Sequence, residues 1–320
     1  MWTGVMSGLA AGALWGMVFL VPELLPAFTP LELAVGRYIA YGAIALGIAL
    51  PQIRRLFSKL DASDYSAMIR QALSGNIVYY MFLAVGVKNA GVPATSLIVG
   101  MLPVSVTLLG RNDHGAARLK DLWIPLSMIG AAVLCMNVDV FGAAQGGDAS
   151  PAAKALGIAC AVGALVCWTY YALDNARYLK RNDHISGAEW SLLYGISSGA
   201  IALLIGAAWY IFQQFTADPG ASAAVVEGRD WTWFIIVNTL LALGASVIGN
   251  HLWNIASRRV PVTLCGTLIL SETLFAFLYG FIYQHRMPRP FELLAITLMI
   301  AGTIWSVRVH EPEPTPVPAP

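Results

Sequence analysis

Apolar residues gather into ten runs along this chain, separated by short polar breaks. The runs predict helical spans over 4–22, 32–50, 66–87, 92–110, 121–138, 154–175, 187–212, 231–255, 262–283 and 290–308. Most approach the ~20 residues that carry a helix across ~30 Å of hydrocarbon. Five runs fall on each side of a stretch rich in Gly, Ala and Asp, and an odd number of spans per copy sets the second copy upside down in the bilayer. The expected fold is all-α and integral to the membrane: ten transmembrane helices, as two inverted five-helix repeats around a central cavity. The expected division is 1–138, first repeat; 139–153, extracytoplasmic linker; 154–308, second repeat; and 309–320, a disordered cytoplasmic tail whose alternating prolines forbid a helix.

The repeat also surfaces in residues. Ala11-Gly-Ala-Leu-Trp15 in span 1 recurs as Ala164-Leu-Val-Cys-Trp168 in span 6, and Val92-Pro-Ala-Thr95 opening span 4 recurs as Val260-Pro-Val-Thr263 opening span 9.

Composition narrows the class. Hydrophobic residues make up 58% of the chain and charged residues 12%, and mean hydropathy is +0.66. A soluble domain carries about twice that charge. A net charge of +1 without a basic tract gives nucleic acid nothing to bind. The start, Met1-Trp2-Thr3-Gly4, lacks a basic n-region, so the first run reads as a span rather than a cleaved signal. Cys135, Cys160, Cys167 and Cys265 lie in apolar runs without metal or redox spacing, and nothing calls for a cofactor or metal.

Loop charge sets the orientation. Arg54, Arg55, Lys59, Arg70, Arg111, Arg118, Lys120, Arg177, Lys180, Arg181, Arg258, Arg259 and Arg308 fall on one side, and Lys88, Lys154, Arg229, Arg286 and Arg289 on the other. That bias puts both termini in the cytoplasm.

Trp15-Gly16, Arg37, the Pro-Ala-Thr-Ser start of span 4, Trp253-Asn254-x-Ala256, Val260-Pro261 and Glu272 resemble the drug/metabolite transporter superfamily, in its EamA-like branch, over roughly residues 4 to 308. Val99-Gly100-Met101 with Pro103, Trp168 with Tyr171, and Trp253-Asn254 are similar to bacterial aromatic amino acid exporters. The resemblance implies a basket of ten helices in the bacterial inner membrane, with helices 3, 4, 8 and 9 at the centre and 1, 2, 6 and 7 around them. Thr273 stands where such proteins commonly have proline, which puts a kink in helix 9 in question.

Ionisable groups in mid-span are expensive and become functional candidates by default. Glu272 is the clearest, as a proton acceptor, a partner for a substrate ammonium, or a structural carboxyl. In span 8, Ser246, Asn250 and Asn254 share a face at four-residue spacing; helix–helix glue and cavity lining both fit them. His251 beside them is either a proton carrier or an interfacial residue. Further lining candidates are Asn76, Tyr79 and Tyr80 in span 3, one tyrosine facing in and one away, and Ser96 and Met101 in span 4. Trp168 and Tyr171 in span 6 and Trp253 in span 8 complete the set. Arg37 reads as a snorkelling residue at the outer end of span 2, with Glu32 or Glu23 as partner.

No nucleotide-binding loop or catalytic constellation is present, so neither ATP hydrolysis nor an enzyme is expected. With no Lys or Arg counted at mid-span, phosphorylated solutes are disfavoured. Amide, hydroxyl and aromatic candidates suit a zwitterion with an apolar side chain. The expected function is secondary export of neutral amino acids, aromatic and other bulky apolar ones included, by a monomer working through alternating access. A multidrug or lipophilic-cation exporter with Glu272 as its charge site is the alternative.

Overall fold

The computed structural model describes residues 1–143, 150–216 and 229–310, and helix is the only regular structure among them. Helix α1 (Trp2–Gly16) runs through a tight turn at Met17–Leu20 into α2 (Val21–Leu24). Next come α3 (Pro30–Ala49) and the short α4 (Ile53–Ser58). A π-helical stretch, Leu73–Ile77, joins α5 (Ala62–Ala72) to α6 (Val78–Val99), and α7 (Leu102–Leu109) and α8 (Leu119–Ala143) follow. The second part holds α9 (Pro151–Arg181), α10 (Gly187–Thr216) and α11 (Trp231–Leu241). A second π-helical stretch, Ala242–Ile248, leads to α12 (Gly249–Arg259); α13 (Val262–Leu268), α14 (Leu270–Tyr283) and α15 (Pro290–Val309) complete the order.

Among the described residues seven stretches are long and apolar enough to cross a membrane: Trp2–Leu24, Pro30–Ser58, Pro151–Arg181, Gly187–Phe215, Trp231–Arg259, Val262–Tyr283 and Pro290–Val309. Ala94–Leu109 is a shorter apolar helix. Of the expected linker 139–153, α8 reaches Ala143 and α9 starts at Pro151, while 144–149 lie outside the described residues, as does 311–320 of the tail.

Several helix starts are set by short local signals. Thr29 and Glu32 form a reciprocal cap, Thr29 N–H donating to the carboxylate at 2.7 Å and Glu32 N–H to the hydroxyl at 3.3 Å, with Pro30 at the first helical position. Asp61 and Asp64 do the same for α5 at 2.9 and 3.0 Å, and Ser186 and Glu189 for α10 at 2.8 and 3.1 Å.

Spans 3 and 4 were expected to part at 88–91, and helical backbone instead continues across this stretch. The chain nevertheless turns back within α6. A Cβ on Gly86 would lie 3.3 Å from the Thr95 side chain, whereas nine residues of straight helix span roughly 13 Å.

Helix pairs pack through small residues, because lipid supplies no hydrophobic drive for association and close backbone contact must do so. The main partners are α3 with α10, α6 with α9, α8 with α15, α7 with α13, and α1 with both α12 and α14. At the α3–α10 crossing a Cβ on Gly199 would meet Gly42 Cα at 2.5 Å, so only glycines allow this approach.

Candidate functional site

A cavity of ≈540 Å³ opens among the helices, within the range of small-molecule sites. At one end it reaches Pro22 and Pro30, where α2 hands over to α3. At the other it stops at Trp168 and Tyr171 of α9, Tyr194 of α10 and Asn250 of α12. Both π-helical stretches sit at this depth, Leu73–Ile77 bringing Gly75 and Asn76 to the wall. The extra residue of a π turn re-aims side chains, a device common at functional sites.

Asn76, Tyr79, Tyr80, Ser96, Trp168, Tyr171, Asn250 and Glu272 all line the cavity. Both tyrosines of α6 therefore face in, correcting the expected division between them; Tyr80 donates to the Pro30 carbonyl at 2.7 Å. Asn76 donates to the Ser198 hydroxyl at 2.8 Å and Asn250 to the Tyr41 hydroxyl at 3.2 Å, which hold each amide at the wall.

Met101 is not at the cavity: it lies in the break between α6 and α7, where the Met101 N–H bonds back to Ile98 O at 3.1 Å, and its side chain is partly exposed. Trp253 stands behind the wall, 1% exposed, its ring 5.2 Å from that of Trp15. Ser246 is buried and accepts a hydrogen bond from Arg37 Nε at 3.1 Å. Asn254 belongs to the closed end, bonding Asn175 at 3.2 Å and the Gly187 carbonyl at 3.1 Å. His251 does not line the cavity, and its Nδ1 is buried without a hydrogen-bond partner.

Arg37 is the main residue that sequence reasoning misjudged. It is seven residues into α3 and lines the cavity. Glu32 is taken instead by Arg229, at 2.7 Å. Reading a mid-helix arginine by the same cost rule that singled out Glu272 would have found it. Trp15, Tyr38 and Tyr194 also line the wall; aromatics in an aromatic-rich membrane sequence carry no signal of facing. Helix 9 breaks at Ile269, between α13 and α14, without the missing proline, and the Glu272 N–H closes a tighter turn onto Ile269 O at 3.1 Å. Ile269 and Glu272 reach the cavity at this break.

Below the floor the structure is sealed by polar contacts. Asp174 accepts from Arg70 at 2.9 and 3.1 Å and from Gln71 at 2.9 Å, and Gln71 Oε1 accepts from Trp190 Nε1 at 3.1 Å. Asp64, 1% exposed, accepts from the Tyr178 hydroxyl and pairs with His184 Nε2 at 3.1 Å. Burial works to raise the Asp64 pKa, but the bonds from Tyr178, the Asp61 N–H and His184 outweigh it and hold the carboxyl below its ordinary 3.8. Among the described residues no group of three or more His, Cys, Asp or Glu side chains is placed to hold a metal ion.

Fold and site together define an all-helical, multi-pass membrane protein built around an internal cavity that is closed at one end. The chain belongs to the EamA-like transporter family, whose model matches residues 2–137 and 155–308. It is thus a membrane transporter and not an enzyme. It is 30% identical to the inner membrane protein YtfF of Escherichia coli K12, covering 98% of this chain and 97% of that one. It is 27% identical to the threonine/homoserine exporter RhtA of the same strain, covering 72% and 67%. A crystal structure of a protein 16% identical superposes with a TM-score of 0.71 over 96% of this chain and 98% of that chain, which shows the shared fold.

Proposed function

We propose that the chain exports neutral amino acids, aromatic and other bulky apolar ones included, as a secondary transporter of the inner membrane. One observation carries this: a ≈540 Å³ cavity, open toward one end of the helices, whose wall mixes aromatic rings with amides and hydroxyls. Rings accept an apolar side chain, and fixed amides and hydroxyls orient the polar end. The name of RhtA, a threonine/homoserine exporter, points to the same solute class.

Support for ten helices in two inverted repeats comes from features that recur at matching places. Each half has a π-helical stretch, Leu73–Ile77 and Ala242–Ile248, and each has a break near a cavity residue, after Val99 and after Leu268. Gly157 packs on Ala90 as Gly4 packs on Val260 and Arg259, each glycine seated on a chain reversal. The family model meets the chain in two segments that coincide with the halves. Trp15 and Trp168, equivalent in the repeat, meet edge to face at 6.4 Å. With the basic loops in the cytoplasm, the polar seal is cytoplasmic and the cavity faces out. Rocking of the halves would then expose it to the other side. A cysteine at Ser150 is expected to react with an impermeant thiol reagent from outside, and one at Asp183 only after lysis; the reverse pattern would overturn this orientation.

The deciding experiment is uptake of labelled phenylalanine, threonine and a lipophilic cation by proteoliposomes, with and without a pH gradient. Saturable amino acid uptake is expected. Gradient-dependent uptake of the cation alone would instead make the protein a drug exporter centred on Glu272.

A further inference from the structure

Arg37 and Glu272 bring one fixed cation and one fixed anion into the same cavity. Arg37 sits roughly 10 Å along α3 from its start, at 1.5 Å per residue. Its Nε donates to Ser246 in the second π-helical stretch at 3.1 Å, which fixes the guanidinium plane. Among the described residues neither of its Nη groups meets a protein acceptor within hydrogen-bond distance, and neither Arg37 nor Glu272 has an ion-pair partner within 4.0 Å. Two opposite charges face one space without neutralising each other. A structural salt bridge would have closed that gap, since charges at membrane depth are costly unless paired or hydrated.

The aromatic wall lies beside them. Trp15 and Trp168 touch edge to face, Trp168 meets Tyr171 with ring centroids 5.6 Å apart, and Tyr79 lines the same space. A planar guanidinium with free donors matches a carboxylate in two-pronged fashion, and an isolated carboxylate matches an ammonium. A polar pole of both signs next to an apolar wall has the complement of a free α-amino acid.

We propose that Arg37 and Glu272 form a zwitterion clamp, Arg37 taking the α-carboxylate and Glu272 the α-ammonium, with the substrate side chain against the Trp15–Trp168 wall. This rests on the amino acid export proposed above and deepens it. The clamp also sets what is refused. The fixed cation opposes a lipophilic cation in a cavity of low dielectric, and the fixed anion opposes organic acids and phosphorylated solutes.

The test compares three probes binding to the purified full-length protein in detergent, read by ligand-induced thermal stabilisation. The probes are phenylalanine, phenylalaninamide, which lacks the carboxylate, and 3-phenylpropionate, which lacks the ammonium. Wild type is expected to prefer phenylalanine by tenfold or more over either analogue, the scale of one lost charge-assisted contact. Arg37→Gln should weaken phenylalanine by tenfold or more while phenylalaninamide is held or tightened, and Glu272→Gln should favour 3-phenylpropionate in the same way. Opposite reversals by two variants are beyond what misfolding produces. If Arg37→Gln does not fold, Arg37→Lys serves: keeping the charge without the fork, it must weaken phenylalanine more than phenylalaninamide. Wild-type amino acid binding with an unchanged ranking, or a uniform loss, in both folded variants overturns the clamp and leaves amino acid export standing. A wild type that binds the amide and not phenylalanine overturns both.

Discussion

Removing Asp174 tests whether the polar seal holds the cavity shut on its side. Asp174→Ala deletes the acceptor for Arg70 at 2.9 and 3.1 Å and for Gln71 at 2.9 Å. The ion pair is partly exposed, 39% for Arg70 and 20% for Asp174, so it contributes at most about 1 kcal/mol. Gln71 matters more: it is 0% exposed, its other end is held by Trp190, and its amide is left without an acceptor. That costs about 1–3 kcal/mol, unless the seal opens and water takes over. A combined ~2–3 kcal/mol shifts the closed-to-open ratio by about 30- to 150-fold. A single cysteine at Ser96, on the cavity wall, reports this by its reaction with an impermeant thiol reagent applied to the Asp174 face of oriented vesicles. The rate should rise in step with the open fraction. Asp183→Ala is the control, since Asp183 is 95% exposed and meets Arg258 only at 3.7 Å. An unchanged rate in a folded Asp174→Ala protein would refute the seal.

Other perturbations reach separate parts of the molecule. Trp168→Ala removes ring contacts to Trp15 and Tyr171 and should raise the phenylalanine KM roughly 2- to 10-fold, as for one lost aromatic pair, with threonine less affected. Equal effects on both solutes would count against an aromatic subsite. Because the folded Asp64 carboxyl titrates below 3.8, it stabilises the fold above that pH and loses its contribution as pH falls through its depressed value. The melting temperature should therefore drop more steeply below about pH 4 in wild type than in Asp64→Asn, a substitution that removes this group. Gly199→Ala sets a methyl 2.5 Å from Gly42 Cα and should cost about 1–3 kcal/mol in thermal unfolding. Gly47→Ala, with open space around it, should be neutral.

Helices were legible because each apolar run is long and each start carries a short signal, such as Thr29-Pro-Leu-Glu32 or Ser186-Gly-Ala-Glu189. Residues lining the cavity were legible only where polarity made lipid exposure costly, as for Asn76, Asn250 and Glu272. The same rule has no power to separate a cavity from a buried polar seal, so Asn250 and Asn254, four residues apart on one face, went to different places. A straight-helix face also mispredicts near a π turn, which rotates the residues beyond it: Ser246 lies inside one and turns to Arg37. Tyr79 and Tyr80 both reach the wall just past the other. Arg37 was lost for another reason, since a long side chain near a span end has a cheaper local explanation that only coordinates remove.

Bonds between the two halves of the chain are unevenly distributed, and that bears on how the proposed cycle is driven. On the sealed side Lys59 meets Glu189 at 2.6 Å, Asp64 meets Tyr178 and His184, Arg70 and Gln71 meet Asp174, and Asp113 meets Arg177 at 3.0 Å. Near the cavity mouth the charged contact between halves is Glu32 with Arg229, at 2.7 Å. Each sealing contact is partly exposed or replaceable by water, so each is weak alone, and rocking trades many small terms rather than one large one. Substrate can shift such a balance only by binding one state better than the other. Arg37 is bonded to Ser246 across the halves, whereas Glu272 stands at the α13–α14 break. A zwitterion held between them touches α3 of the first half and α14 of the second. Its affinity must therefore change as the halves rock, which is the differential interaction that alternating access requires.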